Sequence, residues 1–435
     1  MSLRIRVKKR NESLPKSEPI FFSSRKNPKG KILILANEFY PQICIGGLGR
    51  FVAGISQALV KRNWGVAVFA PVPNGPIYFP FWSLETQKRS KKLAKEALVW
   101  CQRNFWMPDF CWVQDIEGVY QAEVWKNKAK ILWTIHNPIA NGKPENYGYG
   151  YSEQEGNWEP INWGDDFFDF SSLIERGIAA CDVITTVSPS FARNLEQSFL
   201  FTRMEEILGI SNGIDKNEWN PQTDLLLGFK LKNSWREFKA INKKILQTRF
   251  GLPTKNVPLF VFVSRLVPQK GLDLLIQVLP KFLAQNQVQL VVVGQGLKRD
   301  NQFFENLRKY FFLKLGLCLK SDFSLPHQIF AGADFLLLPS VSEPYGIVVA
   351  EARSYGTIPL VRRIDGLADQ VRDKIDGLSF ERNSVDSLLE KLHQALKCWQ
   401  TDWWWEASLS GKNLVEDWDR VAKKYEERLL CLRHT

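Results

Sequence analysis

Short apolar runs recur along the chain, and amphipathic stretches fill the intervals between them. Lys31-Ile-Leu-Ile-Leu-Ala36 is the first, followed by the polar segment 37–48 and by a helical apolar face from about Arg50 to Lys61. The strand pattern returns at Val66–Phe69, Ile131–Ile135, Val183–Val187, Leu259–Val263, Leu290–Val293 and Phe335–Leu338. Runs that are apolar throughout, without polar alternation, mark strands buried on both faces of a parallel sheet. Their alternation with helices across both halves predicts an α/β protein of two doubly wound, Rossmann-like domains. Residues 88–104 predict a basic helix, and 141–169, rich in Gly, Tyr, Asn and Trp, a long loop of the kind that usually carries function.

Length agrees with two domains, because 435 residues exceed what one ordinary core holds. The polar, Lys-rich stretch before Gly251-Leu-Pro253 places a boundary near 225–255. The expected division is a basic disordered leader at 1–30, one Rossmann-like domain at 31–245, a second at 246–395 and a helical tail at 396–435. That tail carries Trp399, Trp403, Trp404, Trp405 and Trp418, with helical periodicity from Leu414 to Leu430. These tryptophans are expected to pack the tail across both domains.

The net charge of +12 changes little, since residues 1–30 hold nine Lys/Arg against two acids and so supply +7 of it. No nucleic-acid footprint is left in the rest. The leader lacks an apolar core for secretion, and no segment is long enough to span a bilayer, so no membrane partner is expected. It reads as a bacterial-type extension of a cytoplasmic protein, with a transit peptide and the plastid stroma as the alternative. Seven cysteines without a Cys-x-x-Cys, and four scattered histidines, point to a reducing compartment without disulfides or a zinc site.

Two charged clusters carry the chemistry. Arg265 and Lys270 follow the run Leu259–Val263, where a parallel sheet presents its ligand-binding groups, and two cations there suit a diphosphate. Glu343-Pro-Tyr345-Gly346 follows Phe335–Leu338 and opens a predicted helix from Ile347 to Tyr355 that contains Glu351. Backbone N–H groups at that helix start face an anion, and the carboxylates accept hydrogen bonds from sugar hydroxyls. Gly46 and Gly47 lie where a glycine-rich turn precedes the first helix, and His136 closes a strand in Thr134-Ile-His-Asn137.

Four blocks, in order, make the chain resemble a retaining glycosyltransferase of the GT-B type, closest to the glycogen and starch synthases of glycosyltransferase family 5. They are 212–224 (Asn-Gly-Ile-Asp-Lys-Asn-Glu-Trp-Asn-Pro-Gln-Thr-Asp), Lys244–Pro253, Ser264–Leu275 and Tyr355–Asp369. The segments 134–137, 185–189 and 328–334 also match. The resemblance implies two domains facing a central cleft, with a carboxy-terminal helix crossing back to the first. It implies Arg265 and Lys270 on the donor diphosphate, Glu343 on the glucose and Glu351 on the ribose. Gly46, Gly47, Tyr345, Gly346 and Ile347 complete the donor side, His136 contacts the reacting sugar and Asp115 orients the acceptor.

The implied reaction moves glucose from ADP-glucose, or second UDP-glucose, to the non-reducing end of an α-1,4-glucan, without metal or cofactor. Departures lie on the acceptor side. The family's Lys-x-Gly-Gly-Leu has Cys44 for its lysine and Arg50 at a position usually acidic, which makes Arg50 the candidate replacement charge. The usual His-x-His-Asp-Trp-His block reads Trp112-Val-Gln-Asp-Ile-Glu117. The glycine-rich turn, and the spacing from Glu343 to Glu351, are similar to those of family 4 transferases. The alternatives are therefore a family 4-type enzyme with another acceptor, or a weakly active glucan-binding paralogue; the residues leave oligomeric state open.

Overall fold

A computed structural model describes residues 5–7, 18–23, 26–40, 47–70, 84–137, 149–152, 157–160, 170–198, 201, 206–320, 322 and 324–433. They form two compact units, 1–150 with 161–213 and 417–435, and 151–160 with 214–416. The strands of the first unit are β1 (Ile5–Val7), β2 (Phe21–Ser23), β3 (Lys31–Leu35), β4 (Gly65–Phe69), β5 (Phe110–Gln114) and β6 (Lys130–Ile135). After the pair β7 (Tyr149–Ser152) and β8 (Asn157–Pro160) come β9 (Val183–Thr186) and β10 (Leu208–Gly209). Among the described residues the sheet runs β1-β2-β4-β3-β5-β6-β9-β10. It is parallel from β4 to β10, with β2 antiparallel on β4 and β1 antiparallel on β2.

Helix α1 (Gly47–Lys61) joins β3 to β4 and buries Phe51, Val52, Ile55 and Leu59, one face of the 3.6-residue period. Next come α2 (Leu84–Arg103), α3 (Gly118–Trp125), α4 (Phe170–Ala180) and α5 (Pro189–Glu196). The second unit begins its helices with α6 (Trp235–Arg249) and alternates β11 (Leu259–Val263), α7 (Leu272–Gln285), β12 (Gln289–Val293), α8 (Lys298–Tyr310) and β13 (Leu315–Cys318). It continues through α9 (Leu325–Gly332), β14 (Phe335–Leu338), α10 (Ile347–Ser354), β15 (Ile358–Arg362), α11 (Asp365–Gln370) and β16 (Leu378–Phe380). Helices α12 (Val385–Cys398) and α13 (Asp402–Ser410) close it. Its wholly parallel sheet has the order β13-β12-β11-β14-β15-β16, the 3-2-1-4-5-6 order of doubly wound folds.

The last helix, α14 (Trp418–Arg433), returns to the first unit. Its buried Val421, Ala422, Tyr425 and Leu429 join Phe51, Ile55 and Trp112 in one core. Glu426 fixes it there, accepting from Lys29 Nζ at 2.6 Å, Arg62 Nε at 2.8 Å and Trp64 Nε1 at 3.1 Å. Burial raises that carboxyl, and these donors outweigh burial and leave it below the usual range.

Several expectations change. The leader is not wholly disordered: Ile20 and Phe21 are buried, and β2 extends the sheet edge beside β4. Inside the predicted loop, β7 and β8 pair as a two-stranded sheet. The division between units falls at Gly213 and Ile214, ahead of the polar stretch that suggested 245, because α6 buries Phe238 and Leu246 in the second core. Its lysines look like linker residues in the sequence and are internal staples. Lys239 Nζ donates to the carbonyls of Phe330, Ala333 and Tyr355, and Lys243 pairs with Asp334 at 2.5 Å. In the tail, α13 stays with the second unit, where Trp404 is buried.

Candidate active site

In the second unit the order of strands reverses between β11 and β14, and the loops leaving their carboxyl ends carry both charged clusters. The β11 loop runs through Ser264 and the half-buried Arg265 into a short 3-10 turn, Pro268–Lys270. Gly271 then adopts φ 75°, and a Cβ there would lie 1.9 Å from the Pro339 carbonyl oxygen. The residue type is thus dictated by how closely the β11 and β14 loops pass. The loops also bond to each other, Val341 N donating to Gln269 O at 2.8 Å.

That approach brings two expected residues together: Lys270 Nζ is 2.6 Å from Glu343 Oε2. Ser340 Oγ donates to the same oxygen at 3.3 Å. Asp365, at the start of α11, accepts from Glu343 N at 2.9 Å and from Ser342 Oγ at 2.7 Å. Its place in the block 355–369 was the available signal for a residue that sequence reasoning passed over; its φ of 43° shows only in the structure. Gly346, at φ 83°, is the N-cap of α10, and a Cβ on it would meet Leu367 Cδ2 at 2.7 Å and Glu343 Cγ at 3.1 Å. Ile347 opens the helix and is half-buried; Glu351 is buried further along it. Tyr345 is buried, and burial pushes its phenol well above the ordinary range, so it is no acid or base at neutral pH. Its carbonyl accepts from Gln370 Nε2.

In the first unit the corresponding reversal lies between β3 and β5, and Asp115 and His136 stand at the ends of β5 and β6. Asp115 takes φ 53°, which turns its carboxylate toward the neighbouring strand end. Its Oδ1 accepts from His136 N at 2.9 Å and Asn137 N at 3.1 Å, and Asn137 Nδ2 donates to Oδ2. Asp115 thus organises the backbone around His136. Burial pushes its carboxyl up to about 6, against the lowering effect of those donors. Glu117, two residues on, is pushed up to about 8 by burial first and then by the Asp115 charge.

His136 sits edge-on to Phe51 at 4.7 Å between ring centroids, and burial lowers it to about 3, so it works as a neutral imidazole. Its Nε2 is 2.8 Å from Gln114 Oε1, a contact that sequence reasoning missed. Gly47 is the first residue of α1, and the Arg50 guanidinium lies over the Tyr40 ring at 5.5 Å. Gly46 and Cys44 fall outside the described residues. Among the described residues, no group of His, Cys, Asp or Glu is arranged to hold a metal ion, and no helix is long and apolar enough to cross a membrane. A groove of about 530 Å³ lined by Glu305, Arg308, Lys309, Phe312, Leu317 and Leu319 contains none of the residues above.

Comparison with known proteins gives two family matches, Glycosyltransferase Family 4 over residues 45–218 and Glycosyl transferases group 1 over 245–406. The chain is 31% identical over 346 residues to glycogen synthase 2 of Nitrosococcus oceani, covering 74% of this chain and 69% of that protein. It is 34% identical over 321 residues to the glycogen synthase of Finegoldia magna, covering 68% and 66%. The catalytic domain of starch synthase IV from Arabidopsis thaliana, solved with ADP and acarbose, superposes with a TM-score of 0.78 at 22% identity, over 92% of this chain and 99% of that one. Sucrose-phosphate synthase from Thermosynechococcus elongatus gives 0.68 at 17% identity, over 93% and 100%. Identities this low speak to the fold, which is that of GT-B glycosyltransferases.

Proposed function

The chain belongs to the glycogen synthase family of glucosyltransferases, and on that premise we propose that it moves glucose from ADP-glucose, or second UDP-glucose, to the non-reducing 4-hydroxyl of an α-1,4-glucan. One observation carries the reading: a lysine and a carboxylate, Lys270 and Glu343, are joined at 2.6 Å where the strand order reverses, the usual ligand position of such sheets.

The reaction breaks the bond from glucose C1 to the diphosphate oxygen, which leaves with the electron pair. The acceptor 4-oxygen bonds to C1 on the same face, so configuration is retained, and its proton passes to the departing phosphate. Negative charge grows on that phosphate, and Lys270, Arg265 and the N–H groups at the start of α10 lower its energy. Glu343 accepts from glucose hydroxyls and opposes the positive charge developing at C1. Glu351 serves the ribose. In the first unit, Asp115 holds the strand end that carries His136. The cationic side chains and helix start carry the charge that a metal would otherwise neutralise.

The test is transfer of labelled glucose from ADP-glucose and, separately, UDP-glucose into a glycogen primer, with Glu343→Ala as control. Incorporation that the substitution abolishes supports the reading and names the donor. A second reading, a transferase for a different acceptor, is favoured by Gln114 and Glu117 standing where the family usually has histidines. Nucleotide release without labelled glucan, in the presence of small sugar acceptors, would select it.

A further inference from the structure

Gln114 is buried at the end of β5, opposite Thr134 of β6, two residues before His136. Its Oε1 lies 2.8 Å from His136 Nε2, and among the described residues its Nε2 has no hydrogen-bond partner. A carbonyl oxygen only accepts, so the ring nitrogen facing it must carry the proton. Because burial keeps His136 neutral, one ring nitrogen alone is protonated at working pH.

From this geometry we propose that Gln114 is a positioning residue that locks His136 in the Nε2–H tautomer, leaving Nδ1 as the ring's hydrogen-bond acceptor for a substrate hydroxyl. Three contacts then constrain the histidine independently. Asp115 holds its backbone N–H, Phe51 meets its ring edge-on, and Gln114 sets its proton. A ring free to exchange tautomers would offer a donor where the substrate presents one of its own, and part of the population would be unproductive. Rotating the Gln114 amide by half a turn would place Nε2 against the ring and reverse the tautomer, so the two arrangements make opposite predictions. The part of this inference that concerns a sugar hydroxyl rests on the proposed glucosyl transfer; the tautomer does not.

The experiment separates those parts. The chain has four histidines, so a long-range proton–nitrogen spectrum of the free, ¹⁵N-histidine-labelled full chain can be assigned by single substitutions. Wild type should show His136 protonated at Nε2. Gln114→Met removes the amide at similar volume; it should mix the tautomers and lower kcat about tenfold or more, with little change in donor KM. Gln114→Glu keeps an acceptor and should hold the Nε2 proton and recover most of kcat. His136 protonated at Nδ1 in wild type overturns the proposal, as does a Met variant with unchanged tautomer and kcat. A Glu variant that behaves like the Met variant overturns it too. Should the Met variant fail to fold, the wild-type spectrum and the Glu variant still decide. Absence of transfer with a clear Nε2–H signal would sink the proposed reaction and leave the tautomer assignment standing.

Discussion

The ammonium of Lys270 lies 2.6 Å from Oε2 of Glu343, with both side chains largely removed from solvent. In the free protein each charge satisfies the other. A donor diphosphate must take Lys270 into its own shell while the glucose hydroxyls take Glu343, so binding exchanges one internal ion pair for two substrate contacts. Glu343→Gln should therefore lower transfer by about 10²–10³-fold while the released nucleoside diphosphate binds as tightly as before or more tightly. Lys270→Met should weaken nucleoside diphosphate binding by roughly 10–100-fold. Titration calorimetry beside a transfer assay reads both. Equal loss of nucleotide affinity in the two variants would contradict the division of labour.

Glycine positions grade the backbone constraints of the second unit. Gly251, Gly271 and Gly346 have φ of 65°, 75° and 83°, but only the latter two would drive a Cβ into neighbours, at 1.9 Å for Gly271 and 2.7 Å for Gly346. Gly251→Ala meets nothing within 4 Å and should cost about 1–2 kcal/mol from backbone strain alone. Gly346→Ala should cost about 1–3 kcal/mol and raise donor KM, because it displaces the start of α10. Gly271→Ala strikes a backbone oxygen and should be the least stable of the three. Thermal unfolding of the series checks the ranking.

Glu117 should give stability a falling alkaline limb. Its folded value, about 8, lies above the unfolded 4.5, so the neutral carboxyl's contribution is complete below about pH 4.5 and is lost as pH rises to about 8. His136 works in the other direction: its folded value of about 3 lies below 6.5, so stability falls as pH drops from about 6.5 toward 3. Glu117→Gln should match wild type near pH 4.5 and exceed it by a few degrees in Tm at pH 8.5. Parallel Tm curves from pH 4.5 to 8.5 would refute the assignment.

The strands whose cores are continuous apolar runs were legible from the sequence: β3, β4, β11, β12 and β14 coincide with their runs to within a residue or so. Those hidden from it carry a residue that breaks the pattern, such as Gln114 in β5, Gly316 in β13 and Pro359 in β15. Helix α6 resembles a linker in the sequence because Lys239 and Lys243 are polar by type, and only the carbonyls and the carboxylate they meet make them interior. The ends of strands were legible as candidate sites, since topology alone places ligand groups there. Partnerships across strands were not, because the Gln114–His136 and Asp365–Glu343 contacts depend on register and on positive-φ turns.

The same limit explains why a specific motif need not be a reacting one. Asp224, the last residue of the block 212–224, is buried beneath α9 and accepts from His327 Nδ1 at 2.7 Å and from the Tyr355 hydroxyl. Trp219 of the same block stacks on His327, with 4.0 Å between centroids and 8° between planes. Burial raises the Asp224 carboxyl, and these hydrogen bonds outweigh it, so the group stays ionised and acts as an internal anchor. The block therefore fastens the start of the second unit to α9 and to the end of α10. Asp224→Ala leaves the His327 and Tyr355 donors unsatisfied and should cost about 2–4 kcal/mol. Asp224→Asn, which keeps an acceptor, should cost less. Neither variant should move donor KM at a temperature where both are folded. A change in KM without loss of stability would mean that this cluster acts on substrate, and the structural reading of the block would have to be given up.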